Sequence, residues 1–222
     1  MDRPEALAFD MYGTLVDPIR IWQQLEIYLG DSALRAAEIW RAKQLEYTFR
    51  LTAMQHYEDF EWVTRRSLDY ALASLGYDLA DEQRRTLVGA YDDLEPFAGV
   101  HESLHQLRSK APTMAVLSNG SPRMLQAVAR SARLEDVFDI LISVDEVRTY
   151  KPSPLVYQHA AHRLGRPIAE VRLISSNPFD VIGGAAAGMQ VVWLDRSAGL
   201  FDTLGPRPDL MVTSLAELAE RL

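Results

Sequence analysis

Apolar residues follow two rhythms along this chain. Short continuous runs at Ala6 to Asp10, Thr113 to Leu117, Ile140 to Val144, Val171 to Ser175, Val191 to Leu194 and Leu210 to Val212 have the length and composition of buried strands. Most are separated by stretches of helical spacing, such as Pro122 to Ser131, Pro154 to Leu164 and Asp180 to Ala187. This alternation predicts a parallel sheet covered on both faces, and right-handed crossovers make it doubly wound. Between residues 16 and 96 the alternation stops. Ile19, Trp22, Leu25 and Leu29, and then Leu45, Phe49, Phe60, Val63 and Leu68, recur at helical intervals with little strand character. The expected architecture is an α/β core of residues 1–15 and 97–222 with an inserted helical cap subdomain, 16–96. Its junctions, Val16-Asp17-Pro18 and Glu95-Pro96-Phe97-Ala98-Gly99, both carry proline. Chemistry in such a fold belongs at the carboxyl ends of the strands.

Composition narrows the options. At 222 residues the chain accommodates one core domain with an insert. The formal net charge of −8 gives no general attraction for nucleic acid or anionic membranes, so an anionic ligand needs a local positive site. Cysteine is absent, which removes thiolate chemistry and disulfides and fits a reducing cytoplasm. The opening MDRPEALAFD lacks a signal-peptide pattern, and no run of about 18 apolar residues suggests a membrane span. A cytoplasmic location is the expectation.

Four strand ends carry polar motifs. Phe9-Asp10-Met11-Tyr12-Gly13-Thr14-Leu15 ends an apolar run in a carboxylate and a glycine turn, which suits either a reactive aspartate or one that merely stabilises the turn. In Leu117-Ser118-Asn119-Gly120-Ser121-Pro122, Ser121 and Pro122 have the form of a helix start, leaving Ser118 and Asn119 over the sheet edge. Tyr150-Lys151-Pro152-Ser153-Pro154 holds one of only three lysines, the others being Lys43 and Lys110; a loop lysine is ordinarily solvated. In Ile174-Ser175-Ser176-Asn177-Pro178-Phe179-Asp180, Asp180 is placed to cap the following helix, a role compatible with catalysis.

Taken together, and in this order, the four motifs resemble those of the haloacid dehalogenase superfamily. The resemblance spans the chain, with the helical insert where that superfamily places its cap. It is closest to the L-2-haloacid dehalogenase subgroup, to which the segment Trp40-Arg41-Ala42-Lys43-Gln44-Leu45-Glu46-Tyr47 is also similar. Ala42 and Phe179 depart from that subgroup, where a larger polar residue is frequent at the first place and some members have a tryptophan at the second.

Phosphatases of the superfamily carry a second aspartate two residues after the nucleophile and further acids in the fourth motif. Tyr12 and Ser176 stand at those places here. Magnesium favours hard carboxylate ligands, and phosphoryl transfer needs cations around the transferred group. A departing halide needs no protonation, so the missing aspartate does not hinder dehalogenation. The resemblance therefore implies a metal-independent, cofactor-free hydrolase converting L-2-haloacids to D-2-hydroxyacids through an ester on Asp10. It assigns Lys151, Asp180, Thr14, Ser175, Asn177 and Tyr157 to catalysis. Met11, Tyr12, Ser118 and Asn119 would hold the substrate carboxylate. Arg41, Asn119 and Phe179 would receive the halide, while Tyr12, Leu45, Phe60 and Phe179 would wall the pocket. It also implies a homodimer, with a small-molecule 2-haloacid and halide as ligands and neither nucleic acid nor membrane as a partner. A phosphatase, or a catalytically idle binding module on the same fold, remains an alternative at this point.

Overall fold

The structure, a computed structural model, describes residues 6–196 and 198–222. Residues 1–5 of the expected core segment lie outside the described ones. Six strands form one sheet: β1 (Ala6–Phe9), β2 (Thr113–Ser118), β3 (Ile140–Ser143), β4 (Val171–Ser175), β5 (Gln190–Leu194) and β6 (Leu210–Val212). Their order is β3-β2-β1-β4-β5-β6, and every pairing is parallel. β1 is wholly buried, as a strand needs to be when helices cover both faces. The expected strands are all present, with ends differing by a residue where side-chain character and backbone pairing part company. From β1 the chain moves outward through β2 and β3, then returns to place β4 on the other side of β1. This reversal opens a crevice above the carboxyl ends of β1 and β4.

Behind the strands run α5 (Val100–Arg108), α6 (Pro122–Ser131), α7 (Pro154–Leu164), α8 (Pro178–Ala187) and α9 (Leu215–Arg221). Ser121 caps α6, its Oγ accepting from Met124 N at 3.3 Å, with Pro122 in the first turn. The expected cap on α8 requires correction. That helix starts at Pro178, not at Asp180, and its N-cap is Asn177. Asp180 sits inside the first turn, fully buried, because a stronger electrostatic partner holds it.

The helical insert between β1 and β2 contains α1 (Trp22–Leu29), α2 (Ala33–Ala53), α3 (Phe60–Ser74) and α4 (Asp81–Gly89), of which α2, at 21 residues, is the long helix and α3 its partner. The long helix buries Ala33, Ala36, Ala37, Trp40, Gln44, Thr48 and Leu51, a stripe of three- and four-residue steps against its neighbours. One polar seam crosses that interface. Trp40 Nε1 donates to Thr64 O at 2.8 Å, Gln44 Nε2 to Thr64 Oγ1 at 3.0 Å, and Tyr91 Oη to Gln44 Oε1 at 3.2 Å. The two connections to the core run side by side: Phe97 N donates to Leu15 O at 3.0 Å and Asp17 N to Glu95 O at 3.2 Å. Arg196 lies 4.1 Å from the Phe97 ring centre and donates to Thr14 O, touching both connections. Among the described residues, no helix is long and apolar enough to cross a membrane.

Candidate active site

Asp10 follows β1 directly, and its amide still donates to Ile174 O at 3.0 Å. The chain then folds back tightly. Met11 O accepts from the amides of Thr14, Leu15 and Val16, and Gly13 adopts φ +90°, a value that favours glycine. This turn brings the Thr14 hydroxyl to 2.9 Å from Asp10 Oδ2, while Asn177 Nδ2 donates to the same oxygen at 2.8 Å. The other oxygen, Oδ1, accepts from Lys151 Nζ at 3.1 Å. Three donors thus fix the carboxylate's orientation at the mouth of the crevice, where it is 6% exposed.

Lys151 is not a solvated loop lysine. It is 1% exposed, and its ammonium donates to Asp10 Oδ1, to Asp180 Oδ2 at 2.8 Å and to Leu117 O at 2.7 Å, which uses all three of its hydrogens. Burial by itself would lower its pKa, but the two carboxylates outweigh that and raise it. Its loop is held by Lys151 N donating to Asn119 Oδ1 at 3.1 Å, so the second and third motifs lock together.

Asp180 Oδ1 accepts from Tyr157 Oη at 2.9 Å. Burial, opposed by Lys151 and reinforced by the neighbouring Asp10 charge, pushes the Asp180 carboxyl above the usual range. Burial and the Asp180 charge raise the Tyr157 phenol well above its ordinary value, keeping it a hydrogen-bond donor. Ser175 Oγ accepts from Asn177 N at 3.1 Å, and Thr14 Oγ1 accepts from Ser176 N at 2.9 Å, so both hydroxyls brace the fourth-motif loop. Ser118 is fully buried, its Oγ accepting from Gly120 N at 3.2 Å.

Above this cluster lies a narrow cavity walled by Asp10, Tyr12, Arg41, Leu45, Phe60, Asn119, Lys151, Asn177 and Phe179. Met11, Thr14, Ser118, Tyr157, Ser175 and Asp180 support the wall from outside it. Arg41 and Leu45, one turn apart on the long helix, reach down together. Arg41 Nη2 donates to Tyr12 O at 3.2 Å, and Asn177 Nδ2 donates to the same carbonyl at 3.2 Å. Burial lowers the guanidinium's pKa, against the pull of Tyr91, Asp10 and Tyr12. Tyr12 Oη is buried without a hydrogen-bond partner, so its ring serves mainly as wall, 5.8 Å from the Phe60 ring centre. The Phe49 ring meets Phe179 edge-on at 5.1 Å.

Sequence reading overlooked what fastens the insert over this cavity. Glu61, on the partner helix, accepts from Ser121 Oγ at 3.0 Å and from Arg123 Nε at 2.8 Å, while Arg123 also pairs with Asp92 at 2.5 Å. On the other side Tyr57 donates to Asp145, and Tyr150 Oη donates to Glu58 O at 2.6 Å. These partners are far apart in sequence, and no local pattern marks them.

The electrostatics limit the chemistry. Lys151 supplies one cation against the two carboxyl groups of Asp10 and Asp180, with Arg41 as the further cation at the cavity wall. Such a site accommodates a monoanion better than a phosphate dianion. Among the described residues, no three or more His, Asp or Glu side chains group in a way that could hold a metal ion.

Comparison with known proteins agrees. The chain is 38% identical over 220 residues to an (S)-2-haloacid dehalogenase of Pseudomonas sp. strain YL, covering 99% of this chain and 95% of the relative. It is 37% identical over 212 residues to haloacetate dehalogenase H-2 of Moraxella sp. strain B, covering 96% and 95%. The L-2-haloacid dehalogenase of Xanthobacter autotrophicus, solved with chloropropionic acid covalently bound, superimposes with a TM-score of 0.91 at 32% identity, covering 98% and 97%. A profile of haloacid dehalogenase-like hydrolases matches residues 4–188, and the chain belongs to that family.

Proposed function

We propose that this protein hydrolyses short L-2-haloalkanoic acids to D-2-hydroxyacids through an ester on Asp10, without a metal ion. The observation that carries this reading is the buried Asp10–Lys151–Asp180 cluster: one ammonium bridges two carboxylates, and no second aspartate stands at Tyr12.

In the first step Asp10 attacks the halogen-bearing carbon from behind. The new carbon–oxygen bond forms as the carbon–halogen bond breaks and halide takes the electron pair. Thr14, Asn177 and Lys151 hold the attacking carboxylate in place. The Arg41 guanidinium, with Asn119 and the Phe179 ring, receives the halide, a task suited to a weakly hydrated cation. The substrate carboxylate rests near Met11, Tyr12, Ser118 and Asn119. In the second step water adds to the Asp10 carbonyl carbon while Asp180 accepts its proton. The ester bond then breaks, the departing alkoxide takes that proton, and the hydroxyl proton left on Asp10 passes to solvent, which restores the carboxylate. Carbon is displaced once, so its configuration inverts.

Residues 16–96 act as the cap in this reading. A homodimer through that cap is supported by exposed Ile27, Leu34, Phe49, Met54 and Tyr70 within it, and sedimentation velocity tests it. We place the enzyme in the cytoplasm, in keeping with its lack of cysteine.

Single-turnover hydrolysis with excess enzyme in heavy-oxygen water tests the ester route. The first product molecule is expected to emerge unlabelled while the label enters Asp10; label in that first product would refute the nucleophile assignment. Halide release should also persist in a strong chelator. Its loss there, restored by magnesium, would favour a phosphatase-like site.

A further inference from the structure

The helix α8 carries two consecutive glycines, Gly183 and Gly184, in mid-helix, where glycine is less favourable than alanine. Neither lies at a positive φ, so the backbone does not require them. Space does. A Cβ on Gly184 would meet Leu173 Cδ2 at 2.7 Å, a contact with the sheet. A Cβ on Gly183 would meet Tyr157 Oη at 2.5 Å, Pro152 Cβ at 2.6 Å and Tyr157 Cε2 at 3.0 Å. Neither neighbour is the end of a flexible chain. The tyrosine ring is rigid, and the Pro152 ring is joined directly to Lys151. Gly183 stands one turn after Asp180 on the same helix face.

We infer that Gly183 is a positioning residue for the second chemical step: its missing side chain lets Tyr157 and the Lys151–Pro152 loop close onto α8 and meet Asp180. The inference rests on the ester route proposed above. With a methyl group at 183, the Tyr157 hydroxyl is displaced from Asp180 Oδ1, where it now sits at 2.9 Å. Asp10 keeps Thr14 and Asn177, so ester formation suffers less than ester hydrolysis. Gly184 provides the contrast, a glycine of equal helical context that serves packing alone.

The experiment compares Gly183→Ala, Gly184→Ala and Tyr157→Phe by rapid-quench halide release and by mass analysis of the Asp10 peptide. Gly183→Ala and Tyr157→Phe are both expected to release about one halide per subunit rapidly and then turn over at least tenfold more slowly, with the ester accumulating on Asp10. The Tyr157 hydrogen bond favours the ionised Asp180 carboxylate. Losing it should move the acid limb of ester hydrolysis to higher pH in both variants. Gly184→Ala should lower thermal stability without accumulating ester. A folded Gly183→Ala that hydrolyses the ester at the parent rate, or a Gly184→Ala with the same ester accumulation, overturns the inference. If Gly183→Ala does not fold, the double variant Tyr157→Phe/Gly183→Ala, which lacks the closest contact, should recover folded protein and hydrolyse ester at the Tyr157→Phe rate. A double variant that still fails to fold would show that the glycine serves Pro152 packing, and would also overturn it. If the parent enzyme forms no ester from any 2-haloacid, the underlying reading fails as well, which is a distinct result.

Discussion

The cavity has two unlike halves. The floor, built from strand ends, is a closed polar network: Lys151 spends every hydrogen on Asp10, Asp180 and Leu117 O, and both oxygens of each aspartate have donors. The roof, supplied by the insert and by Phe179, is a set of apolar side chains with one cation, Arg41, attached to the floor through Tyr12 O. A satisfied buried network is rigid, and it is costly to break at any single member. A wall of Leu45, Phe60 and Phe179 has no such interdependence. On the proposed reading the floor fixes the reaction, while the roof selects what reacts.

Four measurements bear on that division. The largest effect is expected for Lys151→Met, which leaves two carboxylates buried without their cation. Halide release should vanish and denaturant unfolding should show a loss of about 3–5 kcal/mol. An active Lys151→Met would mean the floor does not work as a unit. Next comes Asp180→Asn. A single burst of halide should survive, with steady turnover down about 10²- to 10⁴-fold and the ester retained on Asp10; unchanged turnover would remove Asp180 from the second step. In the proposed second step Asp180 takes a proton from water and must be ionised to do so, and its carboxyl is raised by burial. Ester hydrolysis should therefore fall as pH drops through a limb lying above the ordinary carboxylate value of 3.8. Arg41→Gln should reduce kcat/KM by about a hundredfold with little change in Tm, since in the proposed reaction one donor to developing charge is lost while Tyr12 O keeps Asn177 as a donor. A large loss of stability there would contradict the separation of roof from floor. The smallest effect belongs to Leu45→Ala. It should shift preference toward bulkier 2-haloacids by about tenfold, seen in competitive turnover of two substrates.

Much of this was legible beforehand because local chemistry carried it. The apolar runs gave the strands, and the long helix's stripe gave a helical insert. The four motifs named Asp10, Lys151 and Asp180 only in combination, since each alone also suits a turn, a solvated loop or a helix cap. The motif resemblance was needed for Arg41 and Leu45, because an arginine on an amphipathic helix is indistinguishable from a solvated one until the opposite surface is known. The cap on α8 was misread for a related reason. Asp, Asn and Ser are all good caps, and nothing local shows which of them is drawn away by a distant lysine.

By itself, then, the sequence determined the alternation of elements, the chemistry available at each strand end and the absence of a second aspartate beside the nucleophile. Only the tertiary structure decided that Lys151 is buried between two carboxylates, that Glu61 and Arg123 fasten the insert to the core, and that Gly183 makes room for Tyr157. Helices and turns follow from neighbours three or four residues apart. A buried charge cluster depends on groups as many as 167 residues apart, as with Asp10 and Asn177, and its energy comes from desolvation and mutual attraction, which exist only once the chain has packed.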